Sequence, residues 1–299
     1  MRGENGGLMR SGVILALLLT ACASTTQPVH RTDWKDVDGA IGKSGTLQPD
    51  GVYKFSFPRS DLDVAVGAVH IRPALALGSW AAFIDMGSST MVMGDLVLTE
   101  TEVDDVISAL RVGVIEQTAL HNHLLGESPR VMYLHFMGRG DGVALARTLH
   151  AALARTGTPM AASTAVAAPI DLPTADLDRI LGSAGKANGG VYQFSVPRAG
   201  RIVDHGMEIP PSAGVATAIN FQPTGGGHAA ISGDFVLASS EVGPVIGALR
   251  EGGIAITALH SHMLTEEPRL FFMHFWANDD ALKLAGALRN ALARMNVRR

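Results

Sequence analysis

The sequence predicts an α+β protein built from two tandem homologous domains, each a mainly antiparallel sheet with helices on one face. Two observations carry this. The segment "TALHNHLLGESPRVMYLHF" (118–136) returns as "TALHSHMLTEEPRLFFMHF" (257–275) with eleven of nineteen positions identical. Within each copy, the hydrophobic period also switches between 2 and 3.6 in the same order. The offset of 139 holds upstream without a gap, as "GVYKFSFPR" (51–59) becomes "GVYQFSVPR" (190–198) and "GDLVL" (94–98) becomes "GDFVL" (233–237). Such a period far exceeds the roughly 20–50 residues of stacking solenoid units, so each copy is expected to be a domain with its own core.

In chain order, residues 1–21 read as a signal peptide: Arg2 and Arg10 precede a short apolar run, Val13–Leu19, and a small-residue site follows. That run is far shorter than the roughly 20 residues of a membrane-spanning helix. Leu19-Thr20-Ala21-Cys22 has the pattern of a lipobox, and Cys22 is the chain's one cysteine, which rules out an internal disulfide. Lipidation at Cys22 anchors an exported chain to the cell membrane, or to the outer membrane facing the periplasm in a Gram-negative cell, since Ala23 rather than Asp follows. Residues 22–33 are then a lipidated tether, 34–155 the first repeat, 156–175 an Ala/Pro/Ser/Thr-rich linker and 176–299 the second repeat. Removing residues 1–21 leaves 22 basic against 27 acidic residues, a formal charge of −5. With few aromatics and no basic stripe, a nucleic-acid partner is excluded.

Each repeat is expected to run β-β-β-β-α-β-β-α. Strands are read at 51–57, 62–72, 79–85 and 90–98 from alternation and Pro/Gly boundaries. Val103, Val106, Ile107 and Leu110 form a helical stripe, with Thr99 and Glu102 spaced as a capping box and Gly113 as the stop. Two strands enclose the histidines, and Leu145, Leu149 and Leu153 mark a last helix over 141–155.

His121, His123 and His135, with His260, His262 and His274 in the second copy, are the candidate metal ligands. On a strand His121 and His123 share a face, and an even-sum hairpin register, such as His121 opposite His135, puts all three on the face the helices leave bare. Three imidazoles per copy suit zinc, with copper or nickel as alternatives. Glu127 and Glu266, at the hairpin mouths, are candidates for a fourth ligand or a general base. Arg59, Arg130, Arg198 and Arg269 are candidates for holding an anion beside the site, while Asp95/Asp234 and Glu102/Glu241 are read as a turn or bulge residue and a helix-start charge. No HExxH helix or serine-histidine pattern supports a known hydrolase.

The lipobox, the tandem copies and the two segments "ALHNHLLGESPRVMYLHF" and "ALHSHMLTEEPRLFFMHFWA" together closely resemble the LppY/LpqO family of bacterial lipoproteins over 34–155 and 176–297. The resemblance implies export and a two-copy architecture, and no established activity. Two functions are therefore expected from the sequence. The first is a surface-tethered protein that binds a metal ion, zinc favoured, or a cell-envelope ligand; the alternative is a metal-dependent hydrolase of the cell envelope.

Overall fold

The computed structural model describes residue 3, residues 32–161 and residues 168–298; apart from residue 3, the stretch read as a signal peptide lies outside them, as does Cys22. In the first repeat, helix α1 (Trp34–Ile41) leads into strands β1 (Thr46–Leu47), β2 (Tyr53–Pro58), β3 (Gly78–Asp85) and β4 (Thr90–Thr99). Helix α2 (Val103–Val112), strands β5 (Ile115–His121) and β6 (Val131–Gly140) and helix α3 (Gly142–Leu153) follow. The second repeat matches it: α4 (Thr174–Leu181), β7 (Lys186–Asn188), β8 (Val191–Pro197), β9 (Ala216–Gly225), β10 (His228–Ala238), α5 (Ser239–Glu251), β11 (Ala255–His260), β12 (Leu270–Asp280) and α6 (Ala281–Leu292). Each repeat holds one six-stranded antiparallel sheet, in the orders β1-β2-β3-β4-β6-β5 and β7-β8-β9-β10-β12-β11.

The α+β class and the helices on one face are as expected, with two differences. A helix opens each repeat ahead of the first strand. Asp33 caps α1 by accepting from the Lys35 N–H, Gly42 ends it at a φ of 78°, and Trp34 stacks on Tyr53 with centroids 4.8 Å apart. Eight residues give only two turns of stripe, too few for a clear period, and α4 starts inside the stretch expected to be linker. The run 62–72 is not a strand of the main sheet. It folds back as a two-residue ladder, Ala65–Val66 with Val69–His70, and pairs with Glu127 and Ser128 of the histidine hairpin.

Helix α2 is stopped at Gly113 as expected, for a steric reason beyond helix termination. A Cβ there would sit 1.8 Å from Thr148 Oγ1 on α3, so the glycine lets the two helices pack.

On β4, Val92, Leu96 and Leu98 pack with Val106 and Leu110 of α2 and Leu145 and Leu149 of α3. The alternate residues Met91, Met93 and Val97 point to the opposite face and are equally buried. What covers them is the other repeat. Val52, Ala82 and Met93 share a cluster with Ile202, Val215, Val236 and Phe272, and Val97 and Tyr133 share one with Val191 and Ala230. The two sheets thus lie face to face between outer helix layers, in the order helix, sheet, sheet, helix.

Hydrogen bonds across this seam repeat with the sequence offset. Thr118 Oγ1 donates to the His262 carbonyl at 2.6 Å, and its counterpart Thr257 Oγ1 donates to the His123 carbonyl at 2.5 Å. Each residue of the pair maps onto the other at an offset of 139, as an approximate twofold axis through the seam requires. Polar pairs close the periphery: Gln222 Oε1 accepts from the Arg72 N–H at 2.9 Å, Gln222 Nε2 donates to the His70 carbonyl at 2.7 Å, and Lys54 Nζ donates to the Ser212 carbonyl at 2.9 Å.

Candidate metal centre at the seam between repeats

The last residues of β5, the turn after it and the middle of β6 aim three imidazoles into the seam. The face is as expected, but the register differs by two. His135 lies opposite Ala119 and His121 opposite Tyr133, after an irregularity between Gln117 and Ala119. An even shift preserves the face, so Leu134 and Phe136 still point into the helix-side core. His123 lies beyond the end of the strand and is carried over the Tyr133 ring, with centroids 3.3 Å apart.

The two triads are not two separate sites. His121 stacks on His260 at 3.6 Å, His123 on His274 at 3.7 Å and His135 on His262 at 3.8 Å between ring centroids. Each of these three stacks takes one ring from each repeat. His121 and His260 are equivalents and mark the approximate axis; the other two stacks are exchanged by it. Tyr133 and Phe272, also equivalents, close the outer ends, with Phe272 3.5 Å from His262.

Two carboxylates join the six rings. Asp95 lies opposite His135 on β4, with its Oδ2 3.6 Å from His123 Nε2 and 3.8 Å from His135 Nε2. Asp234 Oδ2 is 3.1 Å from His262 Nε2. The sequence reading as turn or bulge residues is corrected: both lie in regular ladders. In the shared Gly-Asp pair the two residues serve opposite faces. A Cβ on Gly94 would meet the Phe136 ring at 2.5 Å, and one on Gly233 the Ala218 carbonyl oxygen at 2.0 Å, while the aspartate after each points into the seam. The signal was present in the sequence as a Gly-Asp pair kept in both copies.

His135 and His274 are buried at 3% exposed and His262 at 6%, while His121, His123 and His260 are partly exposed but keep their Nε2 atoms buried. Burial is the leading cause that disfavours protonation of all six, and neighbouring rings come next at His121, His123, His135 and His260. His121 is pulled down to about 3, His262 to about 3 by burial, and His274 to about 4. His123, His135 and His260 are likewise lowered from the ordinary imidazole range. The imidazoles are therefore neutral near pH 7, the protonation state in which they ligate metals. Burial raises Asp234 to about 6; burial and then Asp234 hold Asp95 well above the usual carboxylate range. Two Nδ1 atoms are turned outward to backbone carbonyls, His274 to Gly233 at 2.8 Å and His121 to Asn122 at 3.1 Å, which directs their Nε2 atoms inward.

What these inward atoms face is each other. The Nε2 atoms of His121, His123, His135, His260, His262 and His274, together with Asp95 Oδ1 and Asp234 Oδ1, are buried without a hydrogen-bond partner among the described residues. Three groupings bring ligand atoms within 4.8 Å of one another: His121/His123/His274, His121/His135/His260 and Asp234/His260/His262.

Of the glutamates and arginines singled out by the sequence, all but Glu127 are engaged elsewhere. Glu266 Oε1 accepts from the Leu270 N–H at 2.9 Å and its Oε2 lies 3.3 Å from Arg269. The Glu127 backbone is held by the small ladder, while its Oε1 is buried without a hydrogen-bond partner among the described residues; it belongs to none of the three groupings. Arg59, 1% exposed, is spent on Asp61, Glu102 and the Val97 carbonyl; Arg198 is spent on Glu241 and the Val236 carbonyl. Arg269 also reaches Ser261 and two carbonyls, and Arg130 is exposed beside Glu100 at 3.8 Å. Glu102 and Glu241 are thus partners of the buried arginines as well as helix-start residues, each accepting a backbone N–H, from Thr99 and Ala238 respectively.

A family model described as Domain of Unknown Function (DUF1259) matches residues 35–155 and again 175–294. No curated protein matches the chain. Among solved structures, the trimeric bacterial microcompartment shell protein PduB aligns over 83% of this chain and 89% of its own at 12% identity and a TM-score of 0.20. EtuB from Clostridium kluyveri aligns over 83% and 90% at 12% identity and a TM-score of 0.19. Scores this low establish no shared fold.

Proposed function

This chain belongs to the family described as Domain of Unknown Function (DUF1259), in two tandem copies, and we propose that it binds divalent metal, zinc favoured, at the histidine cluster between them. The observation that carries this is the set of inward-facing ring nitrogens and carboxylate oxygens, buried and unpartnered. An unsatisfied buried polar atom costs roughly 1–3 kcal/mol, so a cluster of them is sustained only if something else satisfies it. A cation offers one partner to several converging lone pairs at once. Neutral imidazoles with carboxylates are zinc donors, and copper and nickel accept the same set.

Binding is favoured over hydrolysis because a catalytic zinc keeps an exchangeable position facing solvent and a base. Here the six inward Nε2 atoms are buried between two sheets, and of the two candidate bases Glu266 is engaged by backbone and Arg269 while Glu127 belongs to no ligand grouping. The test is elemental analysis of protein purified without a polyhistidine tag, before and after reconstitution with zinc. Zinc is expected to survive dialysis in the parent and to be lost in His121→Ala/His260→Ala. A reconstituted parent with no bound metal would end the proposal.

Export and anchoring through a lipidated Cys22, as the resemblance to the LppY/LpqO lipoproteins implies, belong to the same proposal. Fatty-acid label is expected on the parent and absent from Cys22→Ala; equal label on both would exclude the anchor.

A further inference from the structure

Resting on the metal-binding proposal, we infer that the seam is one dinuclear site in which the repeats exchange their third histidine. Each ion is held by the paired histidines of one repeat and completed by the lone histidine of the other. The first set is His121, His123 and His274, with Asp95; the second is His260, His262 and His135, with Asp234.

The geometry separates this from two self-contained triads. His274 comes from the second repeat, yet its ring lies 3.7 Å from His123, and its ligand atom falls within 4.8 Å of those of both His121 and His123. His135 comes from the first repeat and its ring lies 3.8 Å from His262; its ligand atom falls within 4.8 Å of that of His260, in a grouping that also reaches His121 across the axis. The approximate twofold axis turns one set into the other, so what favours the first favours the second. The grouping His121/His123/His274 shares no residue with Asp234/His260/His262, so both can be filled together. Each aspartate approaches the pair it would complete: Asp95 Oδ2 is 3.6 Å from His123 Nε2, and Asp234 Oδ2 is 3.1 Å from His262 Nε2. Six imidazoles and two carboxylates are the donor count of two four-coordinate ions, each neutralised in part by one carboxylate.

A consequence follows for the chain as a whole. If each ion takes ligands from both repeats, metal uptake and the closing of the two sheets are one event. Neither repeat holds its ion alone, and removing metal leaves the seam lined with unsatisfied nitrogens.

The exchange is tested by two double variants of the full chain. His123→Gln/His274→Gln places both lesions in one exchanged set, whereas His123→Gln/His135→Gln places one in each. Zinc per chain after reconstitution and dialysis is expected to be about two in the parent, about one in the first variant and near zero in the second. Self-contained triads give the reverse order for the variants and would overturn the inference. Copper reconstitution of the parent needs no substitution: two Cu(II) ions held by stacked rings should give a half-field transition in electron paramagnetic resonance. Isolated copper spectra at full loading, or one ion per chain, would refute the dinuclear site. A parent without any metal would instead remove the binding proposal on which this one stands.

Discussion

Metal-free protein is expected to lose its native packing as the pH falls from about 6.5 towards 5. All six seam histidines have folded-state pKa values below their ordinary value: about 3 for His121 and His262, about 4 for His274, and lowered for the other three. Below about 6.5 the unfolded chain takes up protons that the folded chain refuses, so stability rises with pH across that window and falls as acid is added. Each such histidine costs up to about 1.4 kcal/mol per pH unit. The raised Asp95 and Asp234 act with the opposite sign, because their folded carboxyls keep protons that the unfolded chain has released between about pH 4 and 6. Six groups outweigh two. The net loss over one to two pH units is of the order of a domain's whole stability, about 5–15 kcal/mol. Urea midpoints at pH 7.5, 6.5 and 5.5 measure it, and a flat profile after chelation would mean that the rings are not buried together. Bound zinc should shift the loss to lower pH, since protons and metal compete for the same nitrogens.

Arg198→Ala is expected to destabilise the protein by about 3–5 kcal/mol, because it strips the partner from a buried carboxylate rather than merely deleting a contact. Arg198 Nη1 lies 2.5 Å from Glu241 Oε2, and the pair is 7% and 11% exposed at the side chain. Glu241 also accepts the N–H groups of Ala238 and Asn296, tying the start of α5 to the C-terminal segment. Truncating the arginine would leave those bonds around an uncompensated charge. Replacing both partners by apolar residues of similar volume should recover much of the loss. Chemical denaturation of the single and double variants decides it; a single-variant cost below about 1 kcal/mol would show that the charge is solvated in practice. Arg59 with Glu102 holds the same position in the first repeat.

These arginines illustrate what one-dimensional patterns miss. Arg59 and Arg198 were visible as shared charges, but a cation beside a candidate metal site and a cation closing a buried ion pair look alike until its neighbours are known. For Asp95 and Asp234 the same ambiguity ran the other way. A glycine before an aspartate reads as a turn, whereas here each Gly-Asp pair lies in a ladder opposite Phe136-His135 or Phe275-His274.

The sequence by itself determined the duplication, the helix stripes of α2, α3 and their copies, and the face on which the histidines stand. These are local properties: periods of 2 and 3.6 decide which side chains share a face, and an even change of register leaves that face intact. Only the tertiary structure decided what covers that face. Residues 139 positions apart meet there, and no local period encodes which surface will oppose a bare sheet face. That long-range pairing turns two triads into one buried cluster, brings in the aspartates, and leaves Glu127 and Glu266 in the hairpins that carry the rings.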